Sequence, residues 1–515
     1  MSSHNLDNHE EKFQQYESFF VSTPSPFLPC RKCHGEGKVK QRRRSKKSRP
    51  NDPTNPTASF TICTTCQGSG LIRQDEFDTT TTLTSLPSSS LPTVAIIGGG
   101  IGGLALGLAC WHRRIPFVVF ERDISFSQRH QGYGLTLQQA SKALKGFGIQ
   151  SLIHGITSTR HVVYTSNGEL VGEWGLRKWG RKQEKTGQDP KRQNVHIARQ
   201  ALRKQLLDSL QDQVQWDCRL MSMKENEKDV ELTFIRSNGT EIKTRAEYVV
   251  GADGIRSTVR ALLFPTTDQQ QQVTPLRYLG CVVVLGICPL DSLDTSVTAT
   301  TDLLDGHTVF QTADGTTRFY AMPYSETEYM WQLSFPIEQE SEAVALTQTC
   351  QWLDVAMEKC AIWHTPIPEL LQATPISLIT GYPVYDRAAL LESHLQNAKT
   401  SSSSSPRRIT LLGDAAHPMS PFKGQGANQA MLDALSLART LYRSLRYNDS
   451  LTSSFSWMEE YEKEMIQRST VKVQASADAV DFLHSDVVLQ KGNCTRGAAA
   501  AAAVVKLFKD NDGTV

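Results

Sequence analysis

The feature that most constrains the fold is a glycine pattern between a short apolar run and a stretch with helical periodicity. The run Val94–Ile97 leads into Gly98, Gly100 and Gly103, and a second apolar run, Phe117–Phe120, follows. In such a strand–turn–helix unit the first glycine permits a tight turn, the second lets the backbone approach a pyrophosphate, and the third lets the helix pack closely on the strand. The sequence therefore predicts a βαβ unit and an α/β fold with a phosphate-bearing ligand at the helix N-terminus.

Glu121 stands at the end of the second apolar run, about 20 residues after the glycines. A carboxylate at this position accepts hydrogen bonds from ribose hydroxyls and suits an unphosphorylated ribose, as in FAD or NAD. A glycine-rich turn without a ligand is the alternative, and the strand–turn–helix context argues against it.

Two later stretches place a carboxylate after a strand. Asp253 and Gly254 follow the run Tyr248–Gly251, and Asp414 follows the run Ile409–Leu412. Asp253 fits either a ligand contact or the capping of the helix that follows. Both interpretations of Asp253 stay open on the sequence alone.

Taken together, the three stretches resemble the class A flavoprotein monooxygenases, the family of para-hydroxybenzoate hydroxylase. The Asp-Gly motif at 251–260 and the Gly-Asp motif at 413–428 have the form seen in that family, and the similarity covers about 93–440. The resemblance implies a Rossmann-like FAD-binding domain of the para-hydroxybenzoate hydroxylase fold, interleaved with a β-rich substrate domain. With the residues above, the predicted FAD-binding set is Gly98, Gly100, Gly103, Glu121, Arg122, Gly134, Arg199, Asp253, Asp414, Pro421, Gly424, Gly426, Ala427 and Asn428.

The resemblance also implies the reaction. The family uses NAD(P)H as a transient reductant and O2 to form a flavin C4a-hydroperoxide, which hydroxylates or epoxidises a small aromatic or unsaturated substrate. No residue is predicted to be catalytic, because this chemistry takes place on the flavin. His417 is interpreted as a turn histidine rather than a base. The runs Arg318–Pro323 and Trp331–Phe335 are predicted to line an apolar pocket, with a plain core stripe as the alternative.

Two copies of the pattern CxxCxGxG precede the βαβ unit, with cysteine pairs Cys30/Cys33 and Cys63/Cys66. Four thiolates can close a tetrahedral structural zinc site. The repeat resembles the cysteine-rich domain of DnaJ chaperones, which has four such repeats, so the two copies here predict one zinc ion. Redox-active cysteine pairs are the alternative. A closed site leaves no coordination position for catalysis, so the knuckle is predicted to dock to a protein partner or to its own enzyme domain.

The charge balance excludes a general affinity for nucleic acid, since 55 Lys and Arg residues face 53 Asp and Glu residues. The polar, acidic start of the sequence lacks the pattern of a secretory or organelle signal, and no apolar run approaches the roughly 20 residues that cross a bilayer. These observations predict a cytoplasmic protein without a transmembrane segment. The basic run at 42–49 is interpreted as a solvated loop, with a nuclear import signal as the alternative.

The chain is accordingly divided into segments by composition and motif. The predicted segments are a disordered tail (1–29), the zinc knuckle (30–74), a flexible linker (75–92), the first part of the FAD-binding domain (93–265, with substrate-domain strands interleaved at about 160–195), the β-rich substrate domain (266–385), the second part of the FAD-binding domain (386–445) and C-terminal helices (446–515). The predicted function is an FAD-dependent, NAD(P)H-using monooxygenase with a small-molecule substrate. A zinc-knuckle interaction protein or redox sensor that retains a flavin-binding scaffold is the alternative.

Overall fold

The computed structural model describes residues 24–40, 60–76, 91–128, 132–175, 194–265, 272–349, 351–398, 407–447 and 457–491. Residues 1–23 of the predicted tail, the basic run 42–49, most of the predicted linker and the chain after residue 491 lie outside the described residues.

The strands are numbered in chain order. They are β1 (Phe27–Pro29), β2 (Lys38–Lys40), β3 (Phe60–Ile62), β4 (Leu71–Arg73), β5 (Val94–Ile97), β6 (Phe117–Phe120), β7 (Gly134–Leu137), β8 (Ile156–Thr157), β9 (Arg160–Thr165), β10 (Leu170–Trp174), β11 (Val195–Ala198), β12 (Val214–Gln215), β13 (Arg219–Glu225), β14 (Val230–Ile235), β15 (Glu241–Ala246), β16 (Tyr248–Gly251), β17 (Arg277–Pro289), β18 (Thr308–Ala313), β19 (Arg318–Ser325), β20 (Glu328–Pro336), β21 (Ile379–Asp386) and β22 (Ile409–Leu411).

The α-helices are numbered in the same way. They are α1 (Ile101–His112), α2 (Ala140–Ala143), α3 (Arg199–Leu207), α4 (Thr258–Leu263), α5 (Thr295–Thr300), α6 (Glu340–Thr349), α7 (Trp352–Cys360), α8 (Ile367–Ala373), α9 (Glu392–Asn397), α10 (Gly426–Tyr447) and α11 (Trp457–Leu483). Among the described residues, no helix combines the length and apolarity that crossing a membrane requires.

A five-stranded parallel sheet in the order β12-β6-β5-β16-β22 forms the centre of the first domain. Strands β5 and β6 consist of apolar residues, most of them β-branched or aromatic, and are buried along their whole length. Such continuous apolar strands are typical of a parallel sheet covered on both faces. The predicted βαβ unit is therefore β5–α1–β6, and the α/β fold class is confirmed.

A seven-stranded sheet in the order β10-β9-β18-β19-β20-β17-β21 forms the second domain. Its strands β9 and β10 come from the interleaved segment at about 160–195, and the others come from residues 277–386. Helices α6, α7 and α8 pack on one face, where Phe319, Trp331 and Leu333 join their core. The opposite face carries Met322 and Met330 and contacts side chains of the first domain.

The alternation of the two faces corrects the predicted pocket lining. Neighbouring residues along β19 and β20 point to opposite sides of the sheet, so only every second residue of the two runs faces the first domain. Phe319, Trp331 and Phe335 belong to the helix-covered core, as the alternative interpretation held. Tyr320 and Met322 lie instead on the opposite face, which contacts the first domain.

The two cysteine repeats form a small unit of paired strands, β1 with β4 and β2 with β3. We call residues 24–40 and 60–76 the cysteine hairpin. Strand β1 begins at Phe27, inside the predicted tail, because it pairs with β4. The hairpin packs on the first domain, where Ser25 Oγ lies 2.7 Å from His112 Nδ1 and Phe27 meets the edge of the same histidine ring.

Candidate active site

The sequence motifs meet at the carboxyl edge of the parallel sheet. Strands β6, β5, β16 and β22 are neighbours in that order, and each ends next to one of the motifs. Gly98 follows β5, Glu121 follows β6, Asp253 follows β16 and Asp414 follows β22. Stretches more than 300 residues apart in the chain therefore surround one crevice, the place where open α/β sheets bind ligands.

The glycine turn is shaped by close backbone contacts. Gly98 has φ +113°, and a Cβ there would lie 2.5 Å from the Ala252 carbonyl oxygen. A Cβ on Gly103 would lie 1.9 Å from the Gly98 carbonyl oxygen, so only glycine lets α1 start this close to β5. A Cβ on Gly100 would meet no atom within 4 Å. The helix N-terminus at Gly100 is thus open to an approaching ligand.

Glu121 is buried and fixed by the backbone around it. Its Oε2 accepts a hydrogen bond from Gly99 N (2.7 Å), and its Oε1 accepts one from Asp123 N (3.0 Å). Arg203 lies beside it, with Nη2 at 3.8 Å from Oε2 and Nε donating to the Gly99 carbonyl oxygen. Each carboxylate oxygen has a second lone pair for a ribose hydroxyl. Arg203 is not in the set predicted from the sequence, although it stands one helical turn after Arg199.

Arg199 and Asp414 come together from distant parts of the chain. Arg199 Nη1 donates to the Tyr133 hydroxyl oxygen at 2.9 Å. Tyr133 and, after it, the Asp414 carboxylate raise the pKa of Arg199. Burial raises the pKa of Asp414, while Arg199 and His417 act against that shift. A positive and a negative group therefore flank the crevice at the end of β22.

Asp433 on α10 holds the Gly-Asp turn in place. Its Oδ2 accepts from Gly413 N at 2.8 Å and lies 2.7 Å from His417 Nε2, and its Oδ1 accepts from Arg468 Nη2 at 2.8 Å. Burial alone would raise the pKa of Asp433, but His417 and Arg468 outweigh it and hold the pKa at about 2. His417 is thus a buried partner of Asp433, in agreement with its interpretation as a turn histidine.

Asp253 turns its carboxylate to the start of α4. It accepts hydrogen bonds from Ser257 Oγ, Thr258 N (2.7 Å) and Val259 N (3.2 Å). Burial raises the pKa of this carboxyl group, against these hydrogen bonds. The N-cap itself is Ser257, whose Oγ accepts from Arg260 N at 2.9 Å, and Asp253 supports this helix start, as the alternative interpretation held. A direct contact of Asp253 with FAD stays a prediction.

Arg260 on α4 links the Asp-Gly and Gly-Asp motifs. Its Nη1 donates to the carbonyl oxygens of Ala415 (2.9 Å) and Ala416 (3.0 Å). The two motifs therefore support each other across the crevice. Nothing in the local pattern around Arg260 indicates this contact, which spans 155 residues of sequence.

The remaining predicted residues lie around the same crevice. Asn428 is buried, accepts from Gln138 N (2.8 Å) and donates to the Thr136 carbonyl oxygen (2.9 Å), so it ties α10 to β7. Gly134 begins β7 and its N–H points to Met330 Sδ of the second domain. Arg122 is exposed beside Glu121.

The last four predicted residues belong to the segment that starts α10. Pro421 opens a short 3-10 turn, Gly424 ends it with φ +60°, and Gly426 and Ala427 begin the helix. A Cβ on Gly426 would lie 3.5 Å from Asp414 Oδ1. The roles of these four residues toward FAD stay predictions.

The residues at the carboxyl edge fit FAD. The first turns of α1 and α10 contain no acidic residue, so both helix N-termini can face negative groups of a ligand. Gly100 leaves room for a pyrophosphate where a side chain would enter, and Glu121 offers oxygens to a ribose. This combination defines a dinucleotide-binding α/β protein with a second, sheet-based domain facing the ligand.

Comparison with known proteins gives the family. Residues 92–356 and 390–474 match the family model described as FAD binding domain. The chain is 30% identical over 358 residues to aurachin C monooxygenase/isomerase of Stigmatella aurantiaca, covering 68% of this chain and 80% of that protein. It is 28% identical to phenazine 1,6-dicarboxylic acid hydroxylase PhzS of Lysobacter antibioticus, covering 75% and 89%.

A solved structure shows the same fold. The Klebsiella pneumoniae protein HpxO, complexed with FAD and uric acid, superposes with a TM-score of 0.58 at 20% identity, covering 81% of this chain and 93% of that one. The chain belongs to the FAD binding domain family and is an FAD-dependent monooxygenase, an oxidoreductase.

The glycine turn generates a first test of the cofactor crevice. We expect Gly100→Ala to weaken FAD binding at least about tenfold without lowering the stability of the FAD-free protein, because the new methyl group meets only the space of the ligand. Gly103→Ala is the matched control and should destabilise both forms, because its Cβ overlaps the Gly98 carbonyl oxygen. Flavin fluorescence titration and thermal unfolding measure the two effects. Unchanged FAD affinity in Gly100→Ala would show that the pyrophosphate lies elsewhere.

The Asp433 network generates a second test. Because the folded-state pKa of about 2 lies below the usual value near 4 for aspartate, the group stabilises the fold above about pH 4, and this contribution falls as the pH drops toward 2. We expect Asp433→Asn to lower the free energy of unfolding by roughly 3 kcal/mol at neutral pH and to remove this part of the acid dependence. Denaturant unfolding at several pH values measures both. The exposed Asp478→Asn is the control, and equal behaviour of the two variants would contradict the assignment.

Proposed function

We propose that the protein uses NAD(P)H and O2 to hydroxylate or epoxidise a small aromatic or unsaturated substrate, and that the cysteine hairpin holds one zinc ion. The observation that carries the first proposal is the crevice formed by Gly98, Glu121, Asp414 and the N-terminus of α10. This crevice faces the side of the seven-stranded sheet that is turned toward the first domain. In the overall reaction one oxygen atom of O2 enters the substrate and the other leaves as water, with NAD(P)H and a proton consumed.

The chain's own residues bind and orient the cofactor in this proposal. The backbone at Gly100 receives the pyrophosphate, Glu121 accepts from the ribose hydroxyls, and Asp414 accepts from a hydroxyl of the ribityl chain. The N-terminus of α10 stabilises negative charge on the ring edge that lies against it. Bound FAD supplies the electron transfer and oxygen activation, so the protein needs no acid–base dyad for these steps.

The substrate is proposed to lie against the face of the seven-stranded sheet that is turned toward the first domain. Tyr320, Met322 and Met330 line this face and pack toward Tyr133 and Phe422 of the first domain. Phe422 belongs to the Gly-Asp segment, so the same loop that borders the cofactor also borders this apolar surface. Aromatic and thioether side chains suit a flat apolar molecule and keep water away from the reacting centre.

The named relatives support this choice of substrate class. The names of two relatives specify aurachin C and phenazine 1,6-dicarboxylic acid, and HpxO is complexed with uric acid; phenazine 1,6-dicarboxylic acid and uric acid are ring compounds. We therefore propose a ring-containing substrate here.

A cytoplasmic location of the protein remains a prediction from the composition of the sequence.

A ligand screen with two readouts tests the enzymatic proposal. We expect the FAD-loaded protein to oxidise NADPH or NADH at least about tenfold faster with a true substrate, without an equivalent amount of hydrogen peroxide, because oxygen then enters the substrate. The Gly100→Ala protein, depleted of FAD, serves as the control. Reductant oxidation that no ring compound accelerates would instead favour the alternative of a redox sensor on a flavin-binding scaffold.

The zinc proposal rests on the geometry of the cysteine hairpin. The thiol sulfurs of Cys30, Cys33, Cys63 and Cys66 lie within 4.8 Å of one another and are buried. The Sγ–Sγ distances are 3.9 Å for Cys30–Cys63 and 3.6 Å for Cys33–Cys66. Zinc–sulfur bonds of about 2.3 Å in a tetrahedron require sulfurs ~3.8 Å apart. The positions of the four sulfurs support the proposal of a tetrahedral zinc site.

The backbone beyond each cysteine pair supports the same role. Gly37 N donates to Cys33 Sγ at 3.1 Å, and Gly70 N donates to Cys66 Sγ at 3.3 Å. Both glycines have positive φ, and a Cβ on Gly37 would lie 2.2 Å from the Gly68 carbonyl oxygen. Amide hydrogen bonds to sulfur stabilise thiolates, the form that binds metal.

Metal analysis tests the zinc proposal. We expect about one zinc per wild-type chain and nearly none in Cys63→Ser, because three thiolates leave the structural site incomplete. Cys218→Ser, which changes a buried cysteine outside the hairpin, should keep the metal. Metal-free wild-type protein from zinc-supplemented expression would refute the proposal and favour redox-active cysteine pairs.

A further inference from the structure

We propose that the FAD-binding domain completes the metal site, with Arg439 supplying counter-charge to the metal-bound thiolates. As a consequence, metal binding and FAD binding stabilise each other. This inference rests on the proposed zinc site and extends it to residues outside the hairpin.

Arg439 lies directly under the hairpin. It stands on α10, and its Nη2 donates to the Ser69 carbonyl oxygen at 3.0 Å. The same nitrogen would lie 3.1 Å from a Cβ on Gly37. Burial lowers the pKa of Arg439, and Glu36, Cys33 and Cys66 act in the opposite direction. The guanidinium group is therefore close enough to the two cysteines to feel their charge.

Arg113 lies at the C-terminal end of α1, next to His112, which touches the hairpin through Ser25. Its side chain is fully buried, and Nη1 donates to the Ala109 carbonyl oxygen at 3.0 Å. Its Nε and Nη2 are buried and have no hydrogen-bond partner among the described residues. Burial, and after it the like charge of Arg439, lowers the pKa of Arg113 to about 9, so the group still carries its charge at neutral pH.

Glu36 favours the charged form of both arginines, but it forms its ion pair with a third arginine. Glu36 Oε1 pairs with Arg443 Nη1 at 3.1 Å, and Glu460 pairs with the same arginine. Within the described part of the chain, no carboxylate lies at ion-pair distance from Arg113 or Arg439. Arg439 therefore lies beside the cysteine hairpin without a carboxylate at ion-pair distance among the described residues, and the like charges of Arg439 and Arg113 repel each other.

A metal-loaded site would provide the missing negative charge. Four thiolates around a divalent ion carry a net charge of about −2, whereas four thiols without metal are neutral. Burying a charge without compensation is unfavourable, so filling the metal site should stabilise the docked hairpin. Arg439 in turn stabilises the net negative charge of a filled site and so favours metal binding.

Two helices connect this interface to the FAD crevice. Helix α10 begins at Gly426, next to Asp414, and carries Arg439, Tyr442 and Arg443 in its later turns. Helix α1 begins at the open glycine turn and ends at His112. Loss of the hairpin would uncover the C-terminal parts of both helices whose N-termini face the cofactor. Metal release should therefore weaken FAD binding, and by linkage FAD should tighten metal binding by the same factor.

The test uses the full-length protein loaded with FAD and zinc. Zinc affinity is measured by chelator competition, FAD affinity by flavin fluorescence, and hairpin docking by hydrogen exchange of the later turns of α1 and α10. We expect Arg439→Met to weaken zinc binding about tenfold, and Arg439→Lys to restore most of that loss. Arg219→Met, on an exposed edge of the β13 strand, is the matched control and should change nothing. Chelation should raise the FAD dissociation constant about fivefold and increase exchange in both helices.

The outcomes separate this inference from the zinc site itself. Wild-type zinc affinity in Arg439→Met would overturn the counter-charge role while leaving the four-cysteine site intact. Zinc removal with unchanged FAD affinity and unchanged exchange would overturn the linkage. Wild-type protein without zinc would overturn the zinc proposal and this inference together.

Discussion

The parallel pairing of β6, β5, β16 and β22 is the constraint on which the rest of the structure depends. Each strand is only three or four residues long, yet the pairing places the carboxyl ends of all four on one edge. Strand β16 lies between β5 and β22, so the Asp-Gly loop is wedged between the glycine turn and the Gly-Asp turn. A Cβ on Gly98 would lie 2.5 Å from the Ala252 carbonyl oxygen, so the space between the glycine turn and the Asp-Gly loop is very small. The crevice is therefore a product of sheet order rather than of any single motif.

Charged side chains from outside the motifs hold these loops in position. Arg203 braces Gly99 and Glu121, Arg260 joins the loop after β16 to the loop after β22, and Asp433 fastens Gly413. All three are buried and each contacts backbone atoms of the loops, while Arg203 also lies beside the Glu121 carboxylate. Preorganised loops of this kind reduce the conformational entropy that ligand binding would otherwise lose.

The sequence predicted the parts of this site that obey local rules. The glycine spacing around Gly98 and the carboxylate at Glu121 follow from the geometry of one βαβ unit, and the α/β fold follows from it. The contacts of Arg203, Arg260 and Asp433 were not predictable in this way, because each depends on how separate elements pack. Asp253 lies between these two cases. Its local pattern predicted either helix capping or a ligand contact and could not decide between them.

The large sheet shows a different limit of sequence reasoning. The runs along β19 and β20 are apolar on both faces, so their composition cannot tell the helix-covered side from the side that faces the first domain. Only the packing of α6–α8 decides it, by covering Trp331 and leaving Tyr320 and Met322 on the other face. The helices on the far side of the sheet thus decide which face is left for the proposed substrate surface.

The cysteine hairpin has too little apolar material to fold by burial alone. Among its described residues, the four cysteines, Leu28 and Leu71 are buried, Val39 and Ile72 pack against the cysteines, and Phe60 and Ile62 are exposed. A unit of this size needs a metal, a disulfide or a supporting surface. The hairpin has two of these available, because four thiols stand at metal-binding distances and α1 and α10 lie beneath it. The hairpin is attached to the two helices that begin at the cofactor crevice. The stability of the hairpin and the order of the crevice therefore depend on the same packing.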